Sequence, residues 1–440
     1  MFLIDTPPPT ISGQLHIGHI FSYTQGAMLA QYQRYLGNEV LFPFCCDNNG
    51  IPTGKLAASK NIKGTQNIID FSLAKAADYE QTFDEAGIRF SPESYHTYSP
   101  LAIELCYQAF ELLKQRGIAY KATTEYLWSE KLRTSISQSE LDENGLIERT
   151  GEQPLLKTGE GWFIDIRSHL PAIRAKIDQL DWQPLKYKKR MDDWCEQIAY
   201  DWSISRERNF GIPIPGEESF TFDTWFISAL TPQLAWSAKL GRADLLGTPT
   251  FDMRFQSHDI IRTWAFYTIA MSYFLSDQLP WKTLMITGHT LDGKGDKQSK
   301  SSGNATPPKP LIERYGIAGL RYWSCSAGLG TDIQLDEQKM KSGWRILNKF
   351  ANAKRFIAMQ LENGWLGEKE EYYAQYLARK QSILDHLATY AFDKANDELY
   401  DLLWNVFCST WIEESKQASL ALTLRKISED LEELLAMFYQ

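Results

Sequence analysis

The alternation of apolar and polar positions divides the chain into four stretches. The first opens with a short apolar strand, Phe2-Leu3-Ile4, and a turn-rich passage from Thr6 to Gly13. A helix to about Leu36 follows, stopped by Gly37, and then a second strand, Val40-Leu41-Phe42. This is a βαβ unit, and residues 1–95 continue its alternation. Residues 96–215 form a connective stretch. It begins with an amphipathic helix whose apolar positions are Leu101, Ile103, Leu105, Phe110, Leu112 and Leu113. Residues 216–335 return to βα alternation and include the strand Thr283-Leu284-Met285-Ile286-Thr287. From 336 to 440 the pattern is helical, with dense charge and apolar residues three and four apart. The fold class expected is α/β, followed by an α-helical bundle.

Composition narrows this picture without redirecting it. A length of 440 residues suits about three domains of ~150 residues, and 43% hydrophobic with 23% charged residues describes a globular chain. The start lacks the basic, then apolar, pattern of a signal peptide, and the longest uncharged apolar run, Thr263 to Ser276, is too short to span a bilayer. The six cysteines have no C-x-x-C spacing and read as reduced, mostly buried thiols. The expectation is a cytoplasmic protein with no membrane partner. A net charge of −9 argues mildly against nucleic acid, although basic residues cluster at Lys186–Arg190. They recur at Lys339, Lys341, Arg345, Lys349, Lys354 and Arg355.

Two segments carry candidate chemistry. His16-Ile17-Gly18-His19 opens the first helix, where unpaired N–H groups and the positive dipole end favour an anion. His16 and His19, three apart, face one side of the helix start and can both donate to phosphate oxygens. Far down the chain, Asp292 to Asn304 is rich in glycine and lysine. There Lys297 and Lys300 can neutralise a triphosphate as pyrophosphate leaves. Taken alone, the histidines could be a capped helix start and the lysines a flexible surface loop.

These two passages resemble the H-I-G-H and K-M-S-K-S signatures of class I aminoacyl-tRNA synthetases, and the resemblance extends to the valyl branch. It is carried, in the family's order, by PPPTISGQLHIGH (7–19), CCDNNGIPTGKLA (45–57), DWSISRERNFGIPIP (201–215), DTWFISAL (223–230), HDIIRTWAFYTIAMS (258–272) and GHTLDGKGDKQSKSSGN (288–304). YAFDKANDELYDLLWNVFCSTWIE (390–413) resembles the start of the helical anticodon-binding bundle. The resemblance implies a Rossmann-type fold split by a small connective domain and followed by that bundle. It implies ATP with Mg²⁺ as cofactors, valine as substrate and tRNA as acceptor. His16, His19, Lys297 and Lys300 would be catalytic. Thr10, Gly18, Asp259, Gly288, His289, Ser299 and Ser301 would contact ATP. Asp47 would pair with the substrate ammonium, with Asn49 beside it, and Pro8, Trp225 and Trp264 would wall a slot for a small branched side chain.

The chain also departs from the family. Valyl enzymes carry a large editing domain between segments recognisable here at 126–141 and 159–178, yet only about 17 residues, Asp142 to Thr158, separate them. That length cannot fold a hydrolytic domain, so editing is expected to be absent. Where the family often has W-C-P-x-C, this chain reads Trp128-Ser129-Glu130-Lys131-Leu132, so no zinc or other protein-held metal is expected. Gln298 replaces the usual methionine of the lysine motif, and Arg206 and Arg208 either serve the site or pair with nearby acids. About four bundle helices are expected before the sequence ends, which leaves anticodon reading in question. Two alternatives stay open. One is a paralogue acylating a small amine or a carrier-protein thiol. The other is a non-catalytic regulator, a reading opposed by the retained His16, His19, Lys297, Lys300 and Asp47.

Overall fold

The first apolar run forms the strand Phe2–Asp5 inside a parallel five-stranded sheet, in a computed structural model that describes residues 1–207, 210–299 and 303–439. The sheet order is Val40–Leu41, Phe2–Asp5, Phe251–Ser257, Trp281–Thr287, Asp181–Gln183. Phe2–Asp5 pairs in parallel with Val40–Leu41 and with Phe251–Ser257, and Asp181–Gln183 does so with Trp281–Thr287. A parallel sheet is covered on both faces, so the middles of its strands are largely apolar. Leu3, Ile4, Met253, Phe255, Leu284, Met285 and Ile286 are accordingly all buried. Two charged residues, Arg254 and Asp5, are fully buried in it and sit opposite one another in register.

The chain divides into two units, one of residues 1–14, 40–78 and 90–286 and the other of residues 15–39, 79–89 and 287–440. The first holds the sheet just described. The strand expected at Val40-Leu41-Phe42 changes partners midway. Val40–Leu41 stays in the main sheet, Phe42 donates its N–H to the Ser91 hydroxyl, and Pro43–Cys46 pairs in parallel with Ser91–His96. The helix expected near 101 is Pro100–Gln115, capped by Ser99. Its buried stripe of Ala102, Leu105, Cys106, Ala109, Phe110 and Leu113 fills the core. An antiparallel sheet follows, ordered Thr134–Ile136, Ala119–Ser129, Leu155–Ile164, Trp202–Ser203. Its two long strands pair from Ala119↔Ile164 to Trp128↔Leu155, and only a short strand, one 3-10 turn and tight turns connect them.

The second unit contains the helix Ile17–Tyr35, ended where Gly37 takes φ +85°, and the C-terminal helices. Lys309–Ser324 is broken at Gly316, whose φ of 64° a side-chain-bearing residue rarely adopts. Glu337–Glu362 is capped by Asp336, and Glu370–Ala388, Phe392–Asp401 and Ala421–Tyr439 pack around Ile357, Tyr376, Leu387, Phe407, Leu424 and Leu431. Arg321, wholly buried, donates to the carbonyls of Gly87, Met437 and Phe438. Among the described residues no helix is long and apolar enough to cross a membrane, and all six cysteines are buried.

Candidate active site

The candidate residues form two clusters, one in each unit. In the first unit, Asp47 follows the strand Pro43–Cys46 and Thr97 follows its neighbour Ser91–His96, so register alone brings them side by side at the carboxyl ends of parallel strands. Asp47 is 7% exposed. Its Oδ1 accepts from the Thr97 hydroxyl at 3.2 Å, and its Oδ2 from the Thr10 hydroxyl at 3.4 Å. Backbone bonds from Asp47 N to Pro9 O (3.1 Å) and from Ile11 N to Asp47 O (2.9 Å) lay the opening segment, with half-buried Pro8, along it. The Thr224 hydroxyl lies 3.0 Å from Asp47 Oδ1 and 2.6 Å from Asn49 Oδ1, which ties the helix Thr224–Ser228 to the same place. Asn49 Nδ2 and Trp225 Nε1 are buried donors without a partner among the described residues. Buried donors are seldom left unpaired, so they mark a place where a polar ligand group fits.

Trp264 stands on the π-helical turn Ile261–Ala265 and is fully enclosed. Its indole donates to Ser228 O at 2.8 Å, at the far end of the helix that carries Trp225. The Arg254 guanidinium stacks on its ring, 3.2 Å from the centroid. Arg254 is itself paired with Asp5 at 2.7 Å, and Asp5 also accepts from Trp281 Nε1 at 2.8 Å. Burial pushes the guanidinium pKa down to about 10, opposed by the Asp5 charge. Trp264 is thus fixed by a buried ion pair that sequence reasoning missed. Its signal was present: Arg254 stands between Met253 and Phe255 in a central strand, and a charge buried there requires a partner. Asp259 lies exposed on the 3-10 turn His258–Ile260, just past the strand Phe251–Ser257, and accepts from the Ser257 hydroxyl.

In the second unit, His16 caps the helix Ile17–Tyr35 through a reciprocal pair of bonds. Gly18 N donates to His16 Nδ1 at 3.2 Å, and His16 N donates to His19 Nδ1 at 3.3 Å. With both Nδ1 atoms accepting, each neutral ring carries its proton on Nε2 and offers that atom as a donor. The rings lie 4.1 Å apart. Gly18 leaves room for this arrangement, because a Cβ there would meet the His16 ring and Thr290 Oγ1 at 2.9 Å.

Gly288 has a packing role, since a Cβ on it would meet Thr331 O at 2.0 Å. That close approach lets His289 N donate to Asp332 at 2.7 Å and Ile333 N to His289 O at 2.8 Å. In the lysine segment, Asn304 Nδ2 donates to Asp292 Oδ2 at 2.9 Å and to Lys297 O at 3.2 Å, and its Oδ1 accepts from Ser299 N at 2.9 Å. The Asn304 bond, with the N–H groups of Lys294 and Asp296, holds the Asp292 carboxyl below its usual range. Lys297 is exposed. Lys300 and Ser301 lie outside the described residues, as does Arg208.

Arg206 is 2% exposed and pairs with Asp223 at 3.0 Å and Glu140 at 3.8 Å, so it has the acid-pairing role. Where the family often has a cysteine pair, the Ser129 hydroxyl donates to Glu152, Lys131 N donates to the same carboxylate and Leu132 N donates to Ser129, so hydrogen bonds shape this turn. Within the basic run 186–190, Lys188 pairs with Asp178 and Asp192 and Lys189 with Asp193, while Arg190 meets His258 Nδ1 at 2.8 Å.

The profile of the tRNA synthetases class I (I, L, M and V) matches residues 1–217 and 217–336. The valine--tRNA ligase of Rickettsia prowazekii (strain Madrid E) is 25% identical over 671 aligned residues, covering 100% of this chain and 82% of the relative. That of Ehrlichia canis (strain Jake) is 24% identical, covering 94% and 77%. Among solved structures, the agnB2 LeuRS of Agrobacterium radiobacter K84, in a ternary complex with tRNA and LeuAMS, superposes with a TM-score of 0.87 at 15% identity, covering 100% of this chain and 84% of that one. The methionyl-tRNA synthetase of Mycobacterium tuberculosis bound by methionyl-adenylate gives 0.81 at 19%, covering 100% and 92%.

Proposed function

The chain belongs to the class I tRNA synthetases, and from that premise we propose that it activates valine with ATP, forming valyl-adenylate and pyrophosphate, and passes the aminoacyl group to tRNA. The observation that carries the amino-acid half is Asp47, a nearly buried carboxylate collared by the hydroxyls of Thr10, Thr97 and Thr224. A buried ammonium requires such a partner. Trp225, the immobilised Trp264 and Pro8 supply rigid apolar walls suited to a small branched side chain, and the unpaired donors of Asn49 and Trp225 suit the polar end of an amino acid. Valine ligases among the relatives favour the same substrate.

Activation is an in-line attack of the substrate carboxylate on the α-phosphorus, with pyrophosphate leaving. The protein's part is positioning and charge neutralisation. His16 and His19 donate from Nε2 to phosphate oxygens, helped by the positive dipole end of the helix that His16 caps; the N–H groups of Ile17, Gly18 and His19, expected to be open to an anion, are taken by Thr306 O, His16 Nδ1 and His16 O. Lys297 and Lys300 neutralise the leaving pyrophosphate, and Asp259 holds the nucleoside portion. Mg²⁺ carried on the nucleotide would add neutralisation of the phosphate charge, held with few protein ligands.

The antiparallel pair Ala119–Ser129 and Leu155–Ile164 is closed by short turns. The Rickettsia alignment runs 671 positions against 440 residues, so at least 231 (671 less 440) have no residue in this chain. Both support the absence of an editing domain. An apolar slot rejects a hydroxyl-bearing isostere by only about 10², a value established with valyl enzymes and threonine rather than on this chain. Threonyl-adenylate should therefore form at about that discount. Editing loss also favours the second reading, transfer to a small amine or carrier thiol, where such errors stay out of translation. For tRNA, the helix Glu337–Glu362 exposes Arg345, Arg355 and Trp344, the last 50% exposed, although Lys349 and Lys354 are engaged by Ser409 and Glu432. Amino-acid-dependent exchange of pyrophosphate into ATP, run with all twenty amino acids, tests the substrate. Valine is expected to lead, and a clear lead for any larger side chain would overturn the slot.

A further inference from the structure

In the lysine motif, Gln298 stands where the family's pattern has methionine. Its side chain is 3% exposed and both ends of the amide are engaged. Nε2 donates to Leu291 O at 3.2 Å, before the lysine segment, and Oε1 accepts from Thr306 N at 3.0 Å, after it. Its own N–H donates to Thr290 O at 2.8 Å, and the preceding Lys297 bridges antiparallel to Leu291. Extended backbone sends alternate side chains to opposite sides, so burying Gln298 exposes Lys297. Thr306 continues the chain of bonds, its carbonyl accepting from Ile17 N at 2.9 Å, at the start of the helix that His16 caps.

We infer that Gln298 is a positioning residue for Lys297: its buried amide ties together the two stems of the lysine segment and, through Thr306, fixes that segment to the histidine-bearing helix start. The inference rests on the activation chemistry proposed above. A methionine would fill the same space but offers no donor and only a weak acceptor. It would leave Leu291 O and Thr306 N, both satisfied by Gln298, to find other partners.

The test compares the wild type with Gln298→Met and Gln298→Glu, the latter keeping an acceptor for Thr306 N while losing the donor to Leu291 O. Trypsin cleavage after Lys294 and Lys297, followed by mass spectrometry, reads how firmly the segment is held. Valine-dependent pyrophosphate exchange at varied ATP and valine reads its use. For Gln298→Met the expected result is about tenfold faster cleavage and about tenfold lower kcat, with KM for valine and the melting temperature unchanged. Gln298→Glu should fall between the two. Cleavage and kcat for Gln298→Met within about twofold of wild type would overturn the inference. If the wild type catalyses no exchange, the activation reading fails, while cleavage alone still decides whether Gln298 holds the segment.

Discussion

At Gly18 a single methyl group would decide the geometry of the histidine pair. A methyl group there would press into the His16 ring. Gly18→Ala should swing that ring off its capping bond and lower kcat for pyrophosphate exchange by about 10²-fold, with little change in melting temperature, because misplacing a catalytic group by an ångström is enough. Asp47→Asn keeps the hydroxyl collar but removes the charge. Its expected signature is a rise of roughly 10–100-fold in KM for the amino acid with KM for ATP unaffected, read by steady-state kinetics. Arg254→Met leaves Asp5 buried without its counter-charge and takes the stacked guanidinium from Trp264. Denaturant unfolding should show a loss of about 3–5 kcal/mol, partly restored by adding Asp5→Asn.

At the scale of elements, the strand Ser91–His96 carries a pH dependence. Burial lowers the pKa of His96 below its ordinary 6.5, and the ring packs edge-on against Phe44. The folded chain therefore binds that proton less readily than the unfolded chain. Between the lowered value and 6.5 the unfolded state takes up more protons, so stability falls as pH drops through that window and is regained above it. Melting temperatures from pH 7 to 5 should decline less steeply in His96→Gln than in the wild type. Elements with a strong period were legible from sequence: the helix Ile17–Tyr35 with its glycine stop, the amphipathic helix Pro100–Gln115, and the strand Trp281–Thr287. The strand at 40–42 was read as one element, because a continuous apolar run does not reveal that the chain changes partners at Phe42.

Across the whole molecule, the residues that resemblance marked out were legible and much of what supports them was not. Asp47, Trp225 and His16 could be named from motifs, whereas the hydroxyls of Thr97 and Thr224 and the Arg254–Asp5 pair come from positions far apart in sequence and meet only through strand register and packing. Function follows the same division. The activation chemistry is written in local motifs, while the acceptor depends on surfaces that no motif describes. The most direct test of the central claim is valine-dependent release of AMP from ATP by the purified chain, measured with and without total tRNA. AMP release should require valine, rise with tRNA and occur with threonine at about one-hundredth the efficiency; no valine-dependent ATP turnover under either condition would rule out the activation chemistry.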